Sequence, residues 1–128
     1  MDVGQTCSAA ILARPHWNAT GIHLVRGGRY RMRASGRWRD WFIPHGADGD
    51  PSQIFYMRWF EPLRRMPHQN WFMLIGALNR DASTAFPIGC GRNYSATQDG
   101  ELTCFANDVP GFYWNNRGEV DLTVTRIA

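Results

Sequence analysis

The sequence predicts an all-β protein, an antiparallel sandwich or jelly roll, on three observations. Several short runs alternate apolar and polar residues with period two, the spacing at which successive strand side chains face opposite sides. One further run, "NWFMLIGAL", is apolar on both parities, which suits a central strand covered on both faces. Turn signals stand between the runs: "RGG", "HGADGDP", "NRD", "GCGRN", "QDGE", "VPG" and "NNRG". Short strands joined by such turns are the pattern of sandwiches and jelly rolls.

At 128 residues the chain fits a single domain, residues 1–128, whose core needs no disulfide or metal to hold it. Residues 1–20 read as an N-terminal strand or extension. "GIHLVRGGRYRMRASGRW" reads as strand, Gly-Gly turn, strand; in its second run Tyr30, Met32 and Ala34 share one face and Arg29, Arg31 and Arg33 the other. The arginine row is the solvated face of such a strand, with a binding stripe as the alternative. "QIFYMRWFEPLRRMPHQ" breaks the rhythm. Phe55, Met57 and Trp59 alternate against Tyr56 and Arg58 as an edge strand would, "MRWF" equally suits a helical turn, and Pro62 and Pro67 interrupt the stretch. A connection this long is functional or a lid over the sandwich edge, and its aromatic part is a candidate subunit contact. "GELTCFAND" sets Leu102, Cys104 and Ala106 against Thr103 and Phe105. "GEVDLTVTRIA" closes the chain with Val120, Leu122 and Val124 inward and Asp121, Thr123 and Thr125 outward.

Composition excludes several classes. No apolar run approaches the ~20 residues of a membrane span. "MDVGQTCSAAILARPH" lacks a basic n-region and its apolar patch is too short for a signal peptide, so the expected location is cytoplasmic or reached by a non-Sec route. The formal charge of +3 gives no nucleic-acid signature, although all 14 basic residues are arginine. Cys7, Cys90 and Cys104 share no C-x-x-C spacing and read as reduced, partly buried thiols. His16, His23, His45 and His68 show no metal-ligand spacing and read as surface or loop histidines. Asp48, Asp50, Glu61 and Asp108 are enough carboxylates for a glycosidase pair, but no catalytic motif accompanies them.

Two loops are rich in oxygen. "HGADGDPSQ" carries Asp48 and Asp50 but is not an EF-hand: counted from Asp48, the required glycine falls on Gln53 and the required glutamate on Trp59. "NDVPGFYWNNRG", residues 107–118, offers the Asp108 carboxylate, the Asn115 and Asn116 amides, and backbone carbonyls freed by Pro110 and Gly111. Two readings fit. Calcium takes six to eight hard oxygens in irregular geometry, which such a loop can supply. Alternatively, Asn115-Asn116-Arg117-Gly118 is a hairpin turn.

The second loop closely resembles the calcium-binding loop of the PA-I-like galactophilic bacterial lectins, whose pattern there is N-D-x-P-G-x-Y-x-N-N-x-G. Upstream, "VRGGRYRMRASGRW" is similar to the family's turn, strand and "ASGW" segment, "GADGD" to its "GPQGD" loop, "WFMLIGAL" to its central strand and "FPIG" to the turn after it. The resemblance covers about residues 21–126. It implies a jelly-roll sandwich of galactose-binding-domain-like type, one Ca2+ per subunit, and a sugar whose vicinal hydroxyls complete the metal's coordination. Carried over, it makes Asp108, Asn115 and Asn116 side-chain ligands, with backbone carbonyls from Phe112 and from Trp41 or Asp40. Around the sugar it places Asp108, Val109, Phe112, Asn115, Pro51, Gln53 and Trp41. Phe112 replaces the family's threonine, and Asp50-Pro51-Ser52-Gln53 replaces its His-Pro-x-Gln stretch, which removes the histidine.

The expectation is a non-enzymatic, calcium-dependent lectin for a galactose-like or related glycan, acting as a homo-oligomer. The alternative is a lectin-fold structural or protein-interaction domain that has lost or altered sugar binding.

Overall fold

The computed structural model describes residues 1–52 and 57–128. The described residues form nine strands: β1 (Thr6–Leu12), β2 (Asn18–Leu24), β3 (Arg29–Asp40), β4 (Ile43–Gly46), β5 (Leu74–Leu78), β6 (Asp81–Pro87), β7 (Gly91–Ser95), β8 (Gly100–Ala106) and β9 (Asn116–Arg126). A four-residue helix, α1 (Met57–Phe60), runs into a 3-10 turn at Glu61–Leu63. No helix among the described residues is long and apolar enough to cross a membrane.

The strands make two antiparallel sheets. The first runs β1-β9-β3-β4, with β7 also paired to β3; the second runs β2-β8-β5-β6. Because β3 is twelve residues long, β7 takes its first part and β4 its last, while β9 follows nearly its whole length. The Gly27-Gly28 turn does not close a hairpin. It carries the chain from β2 in one sheet to β3 in the other. Gly28 is required there, since a Cβ on it would lie 2.8 Å from the Tyr30 hydroxyl, which accepts the Val25 N–H. The "NRD" signal does make a hairpin, between β5 and β6, with both Asn79 and Arg80 at positive φ as a two-residue type I′ turn demands.

Period-two alternation puts one face of each sheet into a shared core. Tyr30, Met32 and Trp38 of β3 meet Val120, Leu122 and Val124 of β9, and across the sandwich Leu74, Leu78, Leu102, Cys104 and Ala106. Arg29, Arg31 and Arg33 are exposed, as the alternation predicts. Trp38 is fully buried and its indole N–H donates to the Phe72 carbonyl at 2.9 Å, so its one polar atom is satisfied.

β8 is buried on both parities. On its outer face Thr103 accepts the Arg80 N–H and donates to the Ala77 carbonyl, while Phe105 is covered by Trp17 and by the excursion between β4 and β5, which lays Arg65 over its ring at 3.4 Å. The excursion is thus a lid over one sheet, with "MRWF" helical; Phe55 and Tyr56 lie outside the described residues. Asn107 fastens it. Its amide donates to the carbonyls of Met66, Gln69 and Asn70, and its oxygen accepts the Met66 N–H at 2.9 Å.

Two expectations are corrected. His45 is buried rather than superficial: it stacks on Phe72 with ring centroids 4.9 Å apart, and its Nδ1 lies 2.7 Å from the Asp50 carboxylate. A histidine in a four-residue strand has too little local pattern to reveal which face it occupies. Cys7 and Cys90 are exposed, and only Cys104 is buried.

Asn107 is fully buried, so truncating it orphans several polar groups at once. Asn107→Ala is expected to lower stability by about 2–4 kcal/mol, read as a lower urea midpoint with an unchanged slope.

Candidate metal and ligand site

Strand parity builds this site from both sheets. In β8 the inward positions 102, 104 and 106 continue past the strand end to Asp108. In the other sheet, Trp38 pairs with Gly118 and Asp40 with Asn116. Directly opposed residues share a face, so the inward side carrying Trp38 ends in Asp40 and Asn116. The chain crosses between the sheets at residues 107–115, turning at Gly111 (φ 94°) and closing with a 3-10 turn, Tyr113–Asn115.

The hairpin reading of Asn115-Asn116-Arg117-Gly118 is thereby overturned. Asn115 ends the 3-10 turn, and Asn116 to Gly118 are already β9, paired along β3. Gly118 serves close packing: at φ 84°, a Cβ would lie 3.2 Å from the Trp38 Cα.

Three side-chain oxygens here are buried without a hydrogen-bond partner among the described residues: Asp108 Oδ2, Asn115 Oδ1 and Asn116 Oδ1. Asp108 Oδ1 accepts the Val109 N–H at 2.7 Å, which leaves the other oxygen free. The Asn116 amide nitrogen donates to the Ala13 carbonyl at 3.1 Å, which fixes the side chain's orientation and its oxygen as the unpaired end.

The electrostatics are unbalanced in the same direction. Burial pushes the Asp108 carboxyl up to about 7, with the nearby Asp40 carboxylate adding to the rise; the Val109 N–H and the neighbouring Asn116 amide oppose it. Burial also raises Asp40, against the influence of His45. Among the described residues neither carboxylate has an ion-pair partner. Nor do these residues contain a cluster of three or more His, Cys, Asp or Glu that could hold a metal. The donors are therefore carboxylate and amide oxygens, which suit a hard cation such as Ca2+ and not zinc.

These groups open into a cleft of 270 Å³ bordered by Asp40, Asp108 and Asn115, and by the aromatic side chains of Trp41, Phe112 and Trp114. Trp41 and Trp114 are 68% and 67% exposed. Trp41 sits at φ 59°, a left-handed conformation that costs a residue with a Cβ roughly 1–2 kcal/mol. Its N–H donates to the Asn115 carbonyl at 3.0 Å, tying the β3–β4 turn to the asparagine loop.

The remaining sequence-predicted residues divide. Val109 is not among the residues lining the cleft but packs behind its wall, in an apolar cluster with Met57 and Trp71. Pro51 is exposed and is not among the residues lining the cleft, and Gln53 lies outside the described residues. Of the four carboxylates considered for catalysis, three lie elsewhere with local partners: Asp48 accepts the Cys90 N–H at 2.6 Å, Asp50 pairs with His45, and Glu61 accepts from Ser52; the fourth, Asp108, is in the cleft. Sequence reasoning missed Met57, Phe60 and Trp71, which also line the cleft. Met57 and Phe60 stand three apart, the spacing of one helical face, and a helical reading of "MRWF" would have paired them.

No protein-family profile matches the sequence, and no curated protein matches it. Among solved structures the chain is similar to the EclA N-terminal domain, described as a PllA-like lectin, with a TM-score of 0.70 and 23% identity over 93% of this chain and 94% of that one. The likeness establishes a shared lectin-type β-sandwich fold.

Asp108 binds its proton more tightly when folded, so its contribution to metal-free stability is full below about pH 4 and is lost as pH rises to about 7. Asp108→Asn in chelator should match the parent at pH 4 and exceed its melting temperature by roughly 10–20 °C at pH 8. Equal melting temperatures at both pH values would show that the carboxylate is not under this strain.

Proposed function

We propose that this chain is a calcium-dependent, non-catalytic carbohydrate-binding protein that recognises a galactose-like glycan. The observation that carries the reading is the set of buried oxygens without a hydrogen-bond partner on Asp108, Asn115 and Asn116, the first two of these residues lining an aromatic-rimmed cleft. Backbone carbonyls of Phe112 and of Asp40 or Trp41 would join them. That set still falls short of the six to eight oxygens calcium takes, and two vicinal sugar hydroxyls supply what is missing. The faces of Trp41, Phe112 and Trp114 cover the apolar C–H side of the sugar ring. The lectin description of the structurally similar EclA domain supports the same class.

Such sites bind weakly one at a time and gain strength by multivalency, so the proposal includes a homo-oligomer. A second reading, a metal-binding domain that ignores sugars, draws support from the way Met57 and Phe60 of the excursion fill one side of the cleft with apolar surface.

Calcium at a hundred times its dissociation constant stabilises the native state by about 2.7 kcal/mol, or roughly 10 °C here. That rise should appear in the parent and vanish in the Asp108→Ala/Asn115→Ala double variant. No rise in the parent would overturn the metal site. A calcium-dependent rise with no ligand on a glycan array would select the second reading.

A further inference from the structure

A larger groove, of 610 Å³, opens on the outer face of the second sheet, separate from the Asp108–Asn115 cleft, with Pro110 of the intervening loop on its lining. Its apolar surface is made by Trp17 and Phe105, its rim by Arg65, His68 and Gln69 from the excursion, and its far wall by Arg80 at the β5–β6 turn. Among the described residues no carboxylate lines it.

Among the described residues Arg65 has no ion-pair partner. Its guanidinium lies 3.4 Å from the Phe105 ring centre and 4.6 Å from that of Trp17. One nitrogen donates to the His16 carbonyl and, at 3.2 Å, to the Tyr113 hydroxyl. Among the described residues nothing else is bonded to the fork. A half-buried cation facing a groove without acids is incompletely compensated, and an anion entering the groove would complete it.

Arg80 adds an independent observation. It occupies the second position of a type I′ turn at φ 58°, where glycine is the residue that fits without strain. Its N–H is fixed to the Thr103 hydroxyl at 3.1 Å, which sets where the side chain leaves the turn. Arg80 thus adds a second arginine to the residues lining the groove, from the β5–β6 turn.

From the cations, the aromatic surface and the imidazole and amide groups of His68 and Gln69, we propose that this groove binds a carboxylated sugar. The arginine forks take the carboxylate, the aromatic rings take the C–H face, and His68 and Gln69 take hydroxyls. The volume lies in the range of small-ligand pockets and accommodates more than one sugar ring. This site does not depend on calcium, and the proposal stands or falls separately from the function proposed above.

The test is calorimetric titration of digalacturonate into the full chain in the presence of chelator, with lactose, benzoate and inorganic phosphate as comparison probes. The expected result is that digalacturonate binds at least tenfold more tightly than any of the other three. Arg80→Glu, at an exposed turn position, should weaken it at least tenfold, while Asp108→Ala/Asn115→Ala leaves it unchanged. Binding of lactose to the same extent would overturn the carboxylate requirement. Equal binding of benzoate or phosphate would overturn the sugar requirement. An unchanged affinity in Arg80→Glu would remove the groove from the account. A shift in oligomeric mass in that variant, without a change in affinity, would assign this face to self-association instead.

Discussion

The structure turns on an imbalance at one end of the sandwich, where among the described residues one oxygen each of Asp108, Asn115 and Asn116 is buried without a hydrogen-bond partner. Asp108 arrives from one sheet, Asp40 and Asn116 from the other, and Asn115 from the turn between them. A buried carboxylate without a partner is among the most expensive arrangements a fold can hold. Here the like charge of a second carboxylate makes it worse. The protein nevertheless uses strand parity, a 3-10 turn, a left-handed Trp41 and a close-packed Gly118 to hold these groups together. Local strain of this kind, concentrated around unpaired polar atoms, is the physical ground for proposing a ligand site here.

Alternation along one strand extension gives two neighbouring residues opposite tasks. Asp108 faces inward to the oxygen cage. Asn107, on the other parity, faces outward and fastens the excursion by its amide. The excursion in turn covers Phe105 on the outer face of β8, placing Arg65 on Phe105 and Trp17, and sends Met57 and Phe60 to the first cleft. The long connection is therefore structural over the second sheet and borders both concavities. The Arg65 backbone N–H, bonded to the Asp108 carbonyl at 3.1 Å, links the two regions directly.

What the sequence disclosed follows the range of its signals. Period-two patterns located β3 and β9 with their inward faces, because a single strand shows its own alternation: Tyr30 with Met32, and Val120 with Leu122 and Val124. The oxygen donors of residues 107–118 were visible as residue types, and their resemblance to a known calcium loop marked them as a group. Whether Asn115 and Asn116 form a hairpin turn was not decidable locally, since the answer lies in eleven consecutive pairings with β3, far away in the chain. The same holds for His45, buried by Phe72, and for Arg65, whose aromatic partners come from positions 17, 105 and 113. Local pattern reveals faces; it does not reveal which distant residues cover them.

The central claim is that the unpaired oxygens hold a calcium ion that a sugar then helps to coordinate. Thermodynamic linkage makes this a reciprocal statement: each ligand must tighten the other's binding by the same factor. The most direct measurement is calorimetric titration of calcium into chelator-stripped protein, with and without saturating galactose. One calcium per chain, bound more tightly when galactose is present, is the predicted result. Calcium binding that is absent, or wholly indifferent to galactose, would contradict it.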